Sequence, residues 1–181
     1  MTFIRFKSFP RTEPPPPFVG LVHKAFVKNE DHIGTRVLDK SLKSDQVLEI
    51  VAGDLMQLGF EVERGKRKSE KISVPVLYGE LGNPDLRYEV DAFNESFSCG
   101  IEVEAGRSLS GGNAIYRDLF QAMVMSRVKH MIIAVPNLYR SKPGKPIGQG
   151  EACYESCLSI AETLYSIPRI NMPYGLTVLG Y

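Results

Sequence analysis

Three acids stand at strand spacing in one short stretch: Asp91, Glu102 and Glu104. The stretch, Arg87 to Arg107, reads RYEVDAFNESFSCGIEVEAGR. It divides into two runs, Arg87–Phe93 and Ser98–Ala105, around Asn94, Glu95, Ser96 and Phe97. Tyr88, Val90 and Ala92 alternate with Arg87, Glu89, Asp91 and Phe93, and Ile101, Val103 and Ala105 alternate with Glu102 and Glu104. Alternation of period two, bounded by turn residues, predicts a hairpin of paired strands. Glu102 and Glu104 then share one face, about 7 Å apart along the strand, and Asp91 on the neighbouring strand can point to that face too. Like charges so close raise one another's pKa, and a cation offsets the repulsion. A hard divalent ion with oxygen ligands suits them: Mg²⁺ above all, with Mn²⁺ able to substitute. The plainer reading is a solvated strand face on which the acids sit in water.

These residues resemble the motif of the PD-(D/E)xK nuclease superfamily, the restriction-endonuclease-like fold. There, an Asp on one core strand is followed on the next by an acid-x-Lys pair. Asp91, Glu102 and Glu104 match, with Glu104 in place of the commoner Lys, an E-x-E variant that some active restriction enzymes carry. The resemblance implies an α/β fold, a mixed central sheet flanked by helices, with an α-β-β-β-α-β core over roughly Ser44 to Pro136. It also implies a Mg²⁺-dependent endodeoxyribonuclease with Asp91, Glu102 and Glu104 as catalytic metal ligands. Glu49 on the first strong helix becomes a candidate fourth acid, and Asp85 of the literal Pro84-Asp85 a fallback for Asp91. Gln121 and Arg117 become candidate polar helpers, and Arg107, Arg117 or Lys129 candidate substitutes for the missing Lys charge.

The elements that must position these groups follow from periodicity. Ser44 is a candidate N-cap for a helix whose stripe is Val47, Leu48, Val51, Leu55 and Leu58, ended by Gly59. Ile72–Tyr78 reads as a strand and Gly79–Leu86 as a turn-rich link. Asn113–Lys129 reads as a second helix with Ile115, Leu119, Ala122, Met123 and Val128 toward the core, and Asn113, Arg117 and Gln121 on a polar stripe. Met131–Val135 is a continuous apolar run that fits a strand buried on both faces. Glu151–Ile167 reads as a helix and Leu176–Leu179 as a last strand. The aromatics Phe3, Phe6 and Phe9 and the run Pro14–Pro17 predict a proline-rich arm over 1–19, leaving a single nuclease-like domain over 20–181.

The chain has 181 residues and a net charge of +1, which fits one domain and gives no global field for a polyanion. Local cations remain. Arg64, Lys66, Arg67, Lys68 and Lys71 form the densest run, and Arg140, Lys142 and Lys145 lie in a second loop. Both are candidate DNA contacts, since clustered Lys and Arg bind phosphate backbones; a solvated loop is the alternative. Three cysteines, an odd count, and no bilayer-length apolar run predict a cytoplasmic setting with no membrane partner. Cys153 and Cys157 read as buried apolar residues and His23 and His32 as structural. Cutting both strands of DNA predicts a homodimer, built on the N-terminal arm or the last helix. Two other classes compete: a catalytically degenerate DNA-binding or assembly member of the same fold, and a glycosidase, which also pairs two acids. The absence of any Trp counts against sugars.

Overall fold

The computed structural model describes residues 2–65, 67–106, 114–144, 146 and 149–181. Its strands are β1 (Arg5–Phe9), β2 (Glu61–Val62), β3 (Ile72–Tyr78), β4 (Pro84–Val90), β5 (Ala92–Asn94), β6 (Cys99–Val103), β7 (His130–Val135) and β8 (Gly175–Gly180). Its helices are α1 (Pro17–Lys28), α2 (Glu30–Ile33), α3 (Ser44–Gln57), α4 (Ala114–Val124) and α5 (Cys153–Ser166). Six strands form one mixed sheet in the order β1-β8-β7-β6-β5-β2, while β3 and β4 form a separate two-stranded ribbon. The α/β class and the mixed sheet flanked by helices are as the sequence predicts.

The apolar run predicted as a doubly covered strand is β7, parallel to both β6 and β8 and buried along its whole length. Alternation sorts its side chains. Ile132 and Ala134 join a core with Val22 and Phe26 of α1 and Val47, Val51 and Leu55 of α3. Met131, Ile133 and Val135 join the opposite core with Ile115 and Leu119 of α4 and Cys153 and Cys157 of α5. Burying each such large aliphatic side chain contributes about 1.5–3 kcal/mol. Strand β6 obeys the same sorting: Cys99, Ile101 and Val103 face the α1–α3 core. Glu102 therefore points to the α4 side.

Helix α3 begins at Ser44, with the Gln46 Oε1 accepting the Lys43 N–H at 3.0 Å. It ends at Gln57, and Gly59, just past the C-cap Leu58, has a φ of +85°, a left-handed conformation that a Cβ disfavours. Four expectations are corrected. Residues 5–9 are not part of an arm outside the domain: β1 is the edge strand of the main sheet, antiparallel to β8. Pro84-Asp85 opens β4 rather than lying in a loop. The Arg87–Phe93 run is not one strand, because its first part pairs with β3 and only Ala92–Asn94 pairs with β6. Met123, expected in the core, is exposed, and Met125 is buried in the turn after α4. No helix among the described residues is long and apolar enough to cross a membrane.

Candidate active site

The chain changes sheets at Asp91. Upstream, Val90 pairs with Ile72 of the ribbon; downstream, Ala92 pairs with Ile101 of the main sheet. Continuing the antiparallel register of Ala92↔Ile101 sets Asp91 opposite Glu102. The Asp91 carbonyl accepts the N–H of Glu63 at 2.8 Å, and its Oδ2 accepts the N–H of Val103 at 2.7 Å. A side chain thus ends the β5–β6 ladder and fixes its own carboxylate against the acidic strand. Glu104, one turn of the pleat beyond Glu102, is anchored through its backbone: its N–H donates to the Ala134 carbonyl at 2.8 Å and its carbonyl accepts the Tyr181 hydroxyl at 2.9 Å.

Helix α4 supplies a fourth acid that the sequence reading missed. Asp118 is fully buried on the face that also carries Ile115, Leu119 and Ala122. Its Oδ1 accepts Arg117 Nε at 2.9 Å and lies 2.8 Å from Arg117 Nη2, while its Oδ2 is buried with no hydrogen-bond partner. The signal was an acid at core spacing on an amphipathic helix, between residues assigned inward. Arg117 also reaches Glu104 Oε1 at 3.5 Å.

Electrostatics bear the marks of crowding. Burial is the main cause that pushes the Asp91 carboxyl up to about 6, against the opposing Val103 hydrogen bond. Burial, then the charges of Asp91, Asp118 and Glu104, holds Glu102 well above the carboxylate range. Glu104 is pushed up to about 8, by burial and then by Asp118. Burial raises Asp118 also, with Arg117 opposing it. Burial thus raises all four acids, and among the described residues the cations that bear on them are Arg117 and, at Asp91, Lys71.

Asp91 and Glu102 line a cleft of about 410 Å³ with Glu63, Lys71, Arg87, Tyr88, Glu89, Val90, Arg117 and Gln121. Glu63 and Lys71 are further residues the sequence reading left unassigned to the site. Lys71, at the foot of the ribbon, places Nζ 2.6 Å from Glu63 Oε1, and its charge acts also on Glu89 and Asp91.

The other predicted residues are placed as follows. Arg117 and Gln121 reach the cleft. Glu49 does not: α3 packs on the opposite face of the sheet from Glu102, and Glu49 lines a separate hollow with Asp45, Ala52 and Arg64. Asp85 is not among the cleft residues. Lys129 is exposed beside His130 and Gly175, at the other end of β7 from Glu102's partner Ile133. Arg67, Lys68 and Lys142 are exposed. Arg140 is not available to DNA: it is buried, donating to the carbonyls of Thr35 and Leu38. Lys66, Arg107, Asn113 and Lys145 lie outside the described residues.

Among the described residues, no three His, Cys, Asp or Glu side chains are already grouped to hold a metal ion. The donors nonetheless fit a hard cation, being all carboxylate oxygens, with one buried oxygen of Asp118 left without a partner.

The fold has a solved counterpart. The chain is similar to the crystal structure of restriction endonuclease BglII complexed with a DNA 16-mer, with a TM-score of 0.54 and 11 % identity, over 99 % of this chain and 76 % of that one. At that identity the likeness shows the fold alone. No curated protein matches the sequence. A family model described as "Putative halobacteria restriction endonuclease" matches residues 20–149, which contain the ribbon, the acidic strand and α4. The chain belongs to that restriction-endonuclease family.

Proposed function

We propose that the protein is a divalent-metal-dependent DNA endonuclease that hydrolyses phosphodiester bonds in the cleft between the β3–β4 ribbon and α4. The observation that carries this reading is the gathering of Asp91, Glu102, Glu104 and Asp118 on one side of the sheet, Glu102 and Asp118 buried, Asp91 and Glu104 half-buried, with burial raising all four carboxyls. Asp91, Glu102 and Glu104 are the residues that would hold Mg²⁺, or Mn²⁺ in its place, with Asp118 Oδ2 beside them. Such a cation supplies Lewis acidity toward a phosphate oxygen and lowers the pKa of a water beside it.

The chain's own residues do the rest. Asp91 is oriented by the Val103 N–H, so its second oxygen is held in a set direction. Lys71 and Arg117 place positive charge at the cleft, where a phosphate's negative oxygens would lie. They stand in for the Lys that Glu104 replaces. Arg117 in turn ties Asp118 to Glu104, so α4 and β6 keep a fixed spacing. Gln121 offers an amide to the same cleft. The exposed Arg67 and Lys68 are free to meet a phosphate backbone outside the cleft.

The test is incubation of supercoiled plasmid and of branched DNA with the protein and Mn²⁺ or Mg²⁺. Nicked or linear product that disappears with a chelator and with Glu102→Gln is the expected result. Binding without cleavage in either metal would favour a degenerate DNA-binding member of the fold instead.

A further inference from the structure

Strands β2, β6, β7 and β8 all point the same way, because β5 is antiparallel to both β2 and β6, and β7 is parallel to β6 and β8. Their C-terminal ends therefore share one edge of the main sheet. Asp91 enters β5 at that edge and Glu104 leaves β6 there, in the middle of the strand order β8-β7-β6-β5-β2. On the β2 flank the chain runs on into Glu63, Arg64, Arg67, Lys68 and Lys71. On the other flank two loops meet beyond the ends of β7 and β8. One spans residues 34–43, between α2 and α3, and the other residues 136–144, after β7. The Thr35 hydroxyl sets them at that edge, donating to the Tyr181 carbonyl at 3.1 Å and accepting the Leu138 N–H at 3.3 Å.

Hydrogen bonds bind the two loops into one body. The Ser41 N–H donates to the Arg140 carbonyl at 3.1 Å, the Arg140 N–H to Ser41 Oγ at 2.9 Å, and the Gly144 N–H to the Asp39 carboxylate at 3.0 Å. The buried Arg140 guanidinium adds its bonds to Thr35 and Leu38, so it is one tie among several. Outward, this body shows Arg36, Lys40, Lys43 and Lys142, all exposed. Among the described residues none of these four forms an ion pair. The Arg36 guanidinium lies over the Phe3 ring at 4.0 Å, which holds its charge in place. Asp39 is the sole acid in either loop, and the Gly144 N–H takes it up. In a chain of net charge +1, that is a local excess of cations.

We propose that the two joined loops are a platform for a phosphate backbone, and that a DNA duplex crosses this edge of the sheet, over the acids, from the basic run after β2 to the platform. The platform rests on charge and sheet topology; only the cutting of the duplex that lies on it rests on the nuclease reading. Charge selects the occupant, since clustered, unpaired Lys and Arg on a surface suit a polyanion. Dimensions agree. Neighbouring strands lie about 4.8 Å apart, so β2 and β8, four intervals apart, are separated by roughly 19 Å, or about six steps of 3.4 Å along a duplex. The acids face the middle of that length, with cations on either side.

The experiment is fluorescence anisotropy of labelled duplexes longer than that span, of several sequences, titrated with the full chain over a range of salt concentrations. It is run in chelator and again in Ca²⁺, a hard cation for carboxylate oxygens. The proteins are wild type, Lys40→Ala with Lys142→Ala, Lys40→Glu with Lys142→Glu, Lys142→Ala alone, and Lys129→Ala as the control. Lys129 lies at the opposite end of β7. The Ala pair is expected to flatten the salt slope by up to about two units, and Lys142→Ala alone by about one, evenly across sequences. The Glu pair should bind more weakly still, and Lys129→Ala should keep the wild-type slope. A wild-type slope in Lys142→Ala and in both pairs overturns the platform and leaves the nuclease reading standing. A Lys129→Ala as flattened as the Ala pair overturns it too, because the contact would then be a diffuse field. Wild type that binds no duplex in either condition overturns both readings. Lys142→Ala decides the matter should either pair fail to fold by circular dichroism.

Discussion

The backbone N–H of Val103 donates to Oδ2 of Asp91 at 2.7 Å, so a carboxylate stands where the next ladder partner of β6 would be. Asp91 is thereby both a strand terminator and a member of the acid cluster, and two substitutions separate the roles. Asp91→Ala leaves a buried N–H without a partner and is expected to cost about 1–3 kcal/mol. Asp91→Asn keeps an acceptor oxygen, so it should unfold near the wild-type denaturant midpoint yet lose stabilisation by Mn²⁺. Equal midpoints for Ala and Asn would mean that the hydrogen bond contributes nothing.

The raised pKa values make the metal-free protein sensitive to pH. A carboxyl whose folded pKa lies above its unfolded value binds more protons when folded, so its contribution is full below the unfolded value and lost as pH rises through the folded one. For Asp91 that loss runs from the ordinary carboxylate range through about 6, and for Glu104 through about 8. Buried His130, held down to about 4, acts oppositely below its ordinary value. The clear window is therefore above about pH 7, past the ordinary His value. Melting temperature in chelator should fall between roughly pH 7 and 9, and Glu104→Gln should flatten that fall. Glu102→Gln, close in shape to the protonated acid, should be nearly neutral at the lower end and stabilising at the upper. A wild-type melting temperature that rises across this window would contradict the cluster.

Lys71 is expected to act in cleavage more than in binding. Removing a positioned cation from a site of this kind costs about 10²–10³ in rate, so Lys71→Ala should slow single-turnover cleavage by that order at saturating protein. Lys71→Arg should recover part of it. An unchanged single-turnover rate in Lys71→Ala would assign the residue to pairing with Glu63 alone.

Arg67 and Lys68 are exposed, whereas Arg140 is a buried tie between its own loop and the Thr35–Leu38 carbonyls. Replacing Arg67 and Lys68 by Ala should weaken DNA binding evenly across sequences and flatten its salt dependence by up to about one unit per lost contact. Arg140→Met should instead cost about 1–3 kcal/mol of stability, through the two carbonyls left unpaired, with the salt slope unchanged. A flattened slope in Arg140→Met would place its guanidinium on DNA.

Strand alternation from Ile101 to Glu104 was enough to place Glu102 away from the α1–α3 core, because the period-two rule holds inside a sheet whatever its partners. The same rule failed at Asp91. Alternation ran unbroken from Arg87 to Phe93, and nothing local marks the point where the chain leaves the ribbon for the main sheet. Asp118 was hidden by its own helix: Arg117 and Gln121 make the visible polar stripe, while an acid on the inward face is legible only once a cluster of acids is known to lie under it. Glu49 was assigned by family pattern, and the packing of α3 on the far face of the sheet keeps it away. Glu63 and Lys71 meet across a turn, through an ion pair of 2.6 Å that no short-range pattern signals.

The central claim is that Asp91, Glu102, Glu104 and Asp118 form one cation site. Titration calorimetry of Mn²⁺ into chelator-treated protein, at pH 7 in buffers of different ionisation enthalpy, tests it most directly. Binding that releases protons is expected, because Glu102 and Glu104 hold them when no cation is bound. Glu102→Gln should abolish the binding and Asp118→Asn should weaken it, with both variants folded by circular dichroism. Mn²⁺ binding that survives Glu102→Gln, or no binding to the wild type at all, would contradict the account.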